Sequence, residues 1–120
     1  MHLRAAKEIL HMEAWLHRAE EIVARGPDAY HCDDILQEAG DSLMIKLGES
    51  ANRLARLGVV APPGVDWALA IANRNFVVHQ YDQINRSMTW ATLATDLPRW
   101  RVALAPLIAA AAAEIRRSPP

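Results

Sequence analysis

Trp67-Ala68-Leu69-Ala70-Ile71-Ala72-Asn73-Arg74-Asn75-Phe76-Val77-Val78-His79-Gln80-Tyr81 is the stretch that decides how this chain folds. Asp66 stands before it as an N-cap acceptor, so a helix opens at Trp67. Trp67, Leu69, Ala70, Ile71, Phe76, Val77 and Val78 surround that helix almost completely with apolar groups. A helix that is hydrophobic most of the way round is either central in a bundle or placed at an interface. The same run carries Arg74, Asn75, His79 and Tyr81. A guanidinium holds phosphate oxygens with a planar fork of donors, and an imidazole exchanges protons near neutral pH. Phosphodiester chemistry without a metal needs those groups. An Arg and a His near a helix end are also common surface and capping residues.

Outward from this helix, residues 58–65 with Pro62-Pro63-Gly64 read as a loop. Before it, residues 34–57 predict a long helix with Asp33 or Asp34 as N-cap and an apolar stripe of Ile35, Leu36, Leu43, Leu47, Ala51 and Leu54. Gly40 and Gly48 lie inside it, each costing up to about 1 kcal/mol against alanine, which is tolerable where another helix packs close. Glu49 beside Gly48 is either a surface charge or an orienting partner for an arginine on a neighbouring helix. Residues 3–24 form the first helix, with Ile9, Met12 and Leu16 at helical spacing and Gly26-Pro27 as its stop. Residues 28–34 read as a short polar connection. After Tyr81 comes a loop by composition, then a short helical turn over 87–94 anchored by Met88, Trp90 and Leu93. Pro98 forces a kink or a helix start near Asp96, and the last helix continues to about Arg116. No strand pattern and no internal repeat appears. The expectation is an all-α, antiparallel bundle of four main helices plus a short extra segment, one domain over 1–120 with 118–120 a frayed tail. The four tryptophans read as core or interface anchors.

A chain of 120 residues with 52% hydrophobic and 22% charged residues can bury a core. Its formal charge of −1 argues against a non-specific nucleic-acid coat but allows a local basic site. Arg74, Arg86, Arg99 and Arg101 against Asp82 and Asp96 suggest such an excess. The single Cys32 excludes an intrachain disulfide, fits a reducing cytoplasm and reads as a small, partly buried side chain. His11 and His17, six apart, diverge on a helix, and His31 and Cys32 are adjacent, so no metal site or cofactor is expected. The N-terminal segment lacks a signal-peptide core, and residues 102–115 are too short and too interrupted to span a bilayer. A cytoplasmic protein without membrane partners is expected.

Arg74-Asn75-Phe76-Val77-Val78-His79-Gln80-Tyr81 resembles the motif of the HEPN superfamily, and within it the HepT-like toxin group: an Arg, a polar residue, a short spacer, a His, and a Tyr two positions on. Gly48-Glu49-Ser50-Ala51, Asp66-Trp67, and Thr89-Trp90 with Asp96-Leu97-Pro98 resemble the group's flanking segments in the same order. Gln80 departs from the Gly or Glu common there. The resemblance implies a metal-independent endoribonuclease toxin of a toxin–antitoxin pair, acting on RNA as a homodimer in the cytoplasm. It implies Arg74, His79 and Asn75 as catalytic residues and an MntA-like minimal nucleotidyltransferase as the antitoxin partner. In that group the antitoxin adds AMP to the motif tyrosine, which corresponds to Tyr81. The competing class is a non-catalytic helical module that only docks a nucleotidyltransferase.

On an ideal helix Arg74 and His79 diverge by about 140°, whereas Asn75 and His79 share a face. Either the helix unwinds near His79, or the site is assembled from two chains. The resemblance implies the second.

Overall fold

The computed structural model describes residues 1–119, the side chain of Tyr81 excepted. Four long helices form the bundle: α1 (Leu3–Val23), α3 (Asp34–Arg56), α4 (Trp67–His79) and α6 (Leu97–Arg117). Two six-residue helices, α2 (Pro27–Cys32) and α5 (Arg86–Ala91), fill the connections. There is no strand among the described residues, and none of their helices is long and apolar enough to cross a membrane.

Each long helix buries the stripe its sequence offers. Ala5, Ile9, Met12, Leu16 and Ala19 of α1 are almost fully buried, as are Leu47, Ala51 and Leu54 of α3. Helix α1 packs against both α3 and α6, and α3 packs against α4. Trp67 of α4 and Trp100 of α6 meet edge to face, 6.2 Å between ring centroids, and tie the two outer helices together. Trp15 and Trp90 pack partly buried on the same core, so all four tryptophans are anchors. Helix α3 ends where Gly58 takes φ +76°, a left-handed conformation that lets Val59 N–H reach back to the Leu54 carbonyl at 3.0 Å.

Three features depart from the sequence expectation. Residues 27–32 form a helix rather than a polar connection: Pro27 stands in its first turn, and its Tyr30 is fully buried with its hydroxyl 2.6 Å from Thr89 Oγ1. Cys32 is exposed, because Tyr30 alone of this short helix turns inward. The third long helix stops at His79, and a 3-10 turn, Tyr81–Gln83, follows where a loop was expected. The helix start expected near Asp96 is found. A wide π turn over Thr92–Asp96 takes up the change, and α6 starts at Leu97 with the proline in its first turn.

Helix α4 is not central. It buries only Trp67, Ala70 and Val77, while Leu69 is 51%, Phe76 48% and Val78 41% exposed. Of the two placements its composition allowed, the structure rules out the central one.

Candidate active site

Asp66 fixes the start of α4 by accepting hydrogen bonds from Ala68 N–H (2.9 Å) and Leu69 N–H (3.4 Å). Trp67 fixes its rotation: the ring is buried and its Nε1–H donates to the Val59 carbonyl at 2.9 Å. With Trp67, Ala70 and Val77 turned inward, Arg74 falls on the same side of the helix. Its stem crosses α3 at Gly48. A Cβ on Gly48 would lie 2.2 Å from Arg74 Cβ and 2.7 Å from the Ala70 carbonyl oxygen, so only glycine admits this approach. The expectation that a neighbouring helix packs close at the glycines of α3 holds. At Gly40 the close neighbours are Leu93 and Tyr30.

Beyond Gly48 the Arg74 guanidinium emerges into a cleft between α3 and α4. Glu49, Asn52, Arg53 and Arg56 of α3 line it on one side, and Ile71, Arg74 and Asn75 of α4 on the other. Arg74 Nη1–H donates to Asn75 Oδ1 at 3.0 Å, and Nη2 lies 3.8 Å from Glu49 Oε1. Its Nε is buried with no hydrogen-bond partner among the described residues. Three of the side chains thought to matter therefore meet: Arg74, Asn75 and Glu49.

His79 does not join them. Helix α4 remains regular to His79, and Gln80 N–H still reaches the Phe76 carbonyl at 2.8 Å. The unwinding that would bring His79 round to Arg74 is absent. Five residues along an intact helix separate the two by about 140° and about 7.5 Å of rise. His79 is exposed, in line with Ala68 and Ala72 and flanked by Leu69 and Phe76. Asn75 shares that side of the helix, yet its oxygen is bonded to Arg74. Tyr81, the expected modified residue, has its side chain outside the described residues.

The expected basic excess after the motif does not form one surface. Arg86 makes a two-pronged pair with the buried Asp41, Nη1 to Oδ1 2.7 Å and Nη2 to Oδ2 3.0 Å. Thr89 Oγ1 bonds the Arg86 carbonyl and meets the Tyr30 hydroxyl. This network ties α5 to α2 and α3, and so anchors the chain that leaves the motif. Arg101 is spent on Glu20 of α1 at 2.6 Å. The cations beside Arg74 come from α3 instead. Glu49, Asn52, Arg53 and Arg56 recur at the i, i+3, i+4, i+7 spacing of one helical face, a polar stripe beside Gly48 that the sequence displays.

The family model described as HepT-like, Ribonuclease HepT-like, matches residues 12–107. Comparison with curated proteins and with solved structures gives no match.

Proposed function

The chain belongs to the HepT-like ribonuclease family, and from that premise we propose that it is a metal-independent endoribonuclease toxin whose site is completed across a homodimer. The observation that carries this reading is the regular helix between Arg74 and His79. One chain offers a phosphate clamp on one side and a proton-transfer group on the other, and a two-fold pairing through the exposed α4 face would bring one chain's Arg74 toward its partner's His79. Exposed Leu69 and Phe76 beside His79 give that pairing an apolar surface to cover.

In the proposed reaction His79 takes the proton of a ribose 2′-hydroxyl. The 2′-oxygen attacks the adjacent phosphorus, the bond to the 5′-oxygen breaks, and the leaving oxygen takes up a proton. The products are a 2′,3′-cyclic phosphate and a free 5′-hydroxyl. Arg74 holds the phosphoryl oxygens and stabilises the charge that builds in the transition state. Asn75 and Glu49 hold the guanidinium in place, which makes them positioning residues for Arg74. Neutralisation follows the family's pattern: an MntA-like nucleotidyltransferase antitoxin transfers AMP from ATP to the Tyr81 hydroxyl, pyrophosphate leaves, and the added phosphate is an anion that repels an anionic substrate.

The test is cleavage of RNA by the purified protein in EDTA. Wild type is expected to yield cyclic-phosphate ends, and His79→Ala to lose at least about a hundredfold in rate with an unchanged circular dichroism spectrum. RNA left intact by wild-type protein that arrests growth on expression would refute the nuclease. Harmless expression without the partner would favour the docking module instead. The AMP step is read from the intact mass of protein co-expressed with its antitoxin.

A further inference from the structure

The cleft that receives Arg74 does not end at the motif. Arg53 and Arg56 line it, and the same two arginines line a second hollow, between α1 and α3, together with Arg4 and Glu8. The two hollows lie on either flank of α3 and meet at Arg53 and Arg56, so a basic groove leads over that helix from Asn75 to Arg4. Along α3 it covers the eight residue steps from Gly48 to Arg56, on the order of 12 Å, more than one phosphate occupies.

Its charge is unlike that of the molecule. The chain carries a formal −1, whereas the groove holds Arg4, Arg53, Arg56 and Arg74 against Glu8 and Glu49. Both glutamates are engaged. Glu8 accepts from Arg53 Nε at 2.8 Å and lies 2.7 Å from its Nη2, and Glu49 lies 3.8 Å from Arg74. Arg4 and Arg56 have no ion-pair partner among the described residues. Two anchored arginines and two uncommitted ones thus stand in sequence, beginning at the proposed scissile phosphate.

We propose that this groove is the track of the RNA strand, with Arg56 and Arg4 each contacting a backbone phosphate flanking the one held by Arg74. The assignment rests on the ribonuclease reading and supplies the substrate grip that the low overall basicity leaves unexplained. Phosphate contacts of this kind set position and affinity without reading bases. Glu8 acts through Arg53, keeping one cation fixed in the groove's wall so that the strand meets a shaped rather than a mobile surface.

Fluorescence anisotropy of a 2′-O-methyl RNA oligonucleotide, which cannot be cleaved, tests the groove separately from the chemistry. Arg56→Gln and Arg4→Gln are surface changes, and each is expected to weaken binding about threefold to tenfold and to lower the salt slope by about 0.7, the share of one phosphate contact on a single strand. Arg25→Gln removes the same charge from a different basic hollow, shared with Arg18 and Lys46, and is expected to change neither. Equal weakening by Arg25→Gln would overturn the proposal, because overall charge would then be the cause. Unchanged binding by Arg56→Gln and Arg4→Gln would overturn it as well. If those variants keep RNA binding but lose the nucleotidyltransferase, the groove is a protein-docking surface and the RNA assignment fails. Wild-type protein that binds the oligonucleotide at the groove but leaves cleavable RNA intact would end the nuclease reading and leave the track standing.

Discussion

Arg74 is held by its surroundings more than by any one partner. Its stem is pinned where α4 crosses Gly48, its Nε is buried, and Asn75 and Glu49 take the two ends of the fork. A buried guanidinium nitrogen without a hydrogen bond costs free energy, and the close crossing at Gly48 is where the fold carries that cost. A second residue-scale device lies deeper in the groove. Burial would raise the Glu8 carboxyl, but hydrogen bonding, from Arg53 first, together with the charges of Arg53 and His11, outweighs it and holds the group below its ordinary value of 4.5. A carboxylate with a lowered pKa stabilises the fold above its unfolded pKa, and the contribution is lost as pH falls through the folded value. Thermal melting between about pH 6 and pH 3 checks this. Wild type is expected to lose stability in the acid half of that range, and Glu8→Gln to start lower and fall less. Parallel curves would remove Glu8 from the account.

At the scale of elements, the contact of α3 with α4 sets the site. Gly48→Ala puts a methyl group against Arg74 Cβ and a backbone oxygen, neither of which can swing aside. The overpacking cost of about 1–3 kcal/mol, set against about 1 kcal/mol of gained helix propensity, predicts a net loss of up to about 2 kcal/mol. Chemical denaturation measures it, and RNA cleavage should fall further than stability explains because Arg74 is displaced. A more stable, fully active Gly48→Ala would contradict the crossing. Much at this scale was legible beforehand. Asp66 and Gly58 mark element ends through local chemistry, and the stripes of α1 and α3 repeat at helical period. Helix α2 was not legible, because six residues are too few to show a period and Tyr30 is secured by Thr89, 59 positions away. For the same reason Arg86 read as part of a basic cluster, when its carboxylate, Asp41, lies 45 positions earlier. The conflict between Arg74 and His79 could be read from spacing alone. The observed helix removes one of the two resolutions, unwinding near His79.

At the scale of the molecule, the edge position of α4 joins these pieces. Its inner side gives Arg74 to a groove that runs along α3 to Arg4, and its outer side shows His79 among Leu69 and Phe76. A monomer of this shape carries the parts of the proposed reaction on opposite sides of one helix, and a dimer through that helix would reunite them. Complementation of two inactive variants tests this most directly. Arg74→Ala and His79→Ala, each expected to be inactive alone, are unfolded together in equal amounts and refolded, and heterodimer formation is followed by native mass spectrometry. In a mixed dimer one of the two sites has both an intact Arg74 and an intact His79, so with random pairing the mixture should regain about a quarter of wild-type cleavage. Heterodimers that form in that proportion and cleave no better than either variant alone would contradict a site shared between two chains.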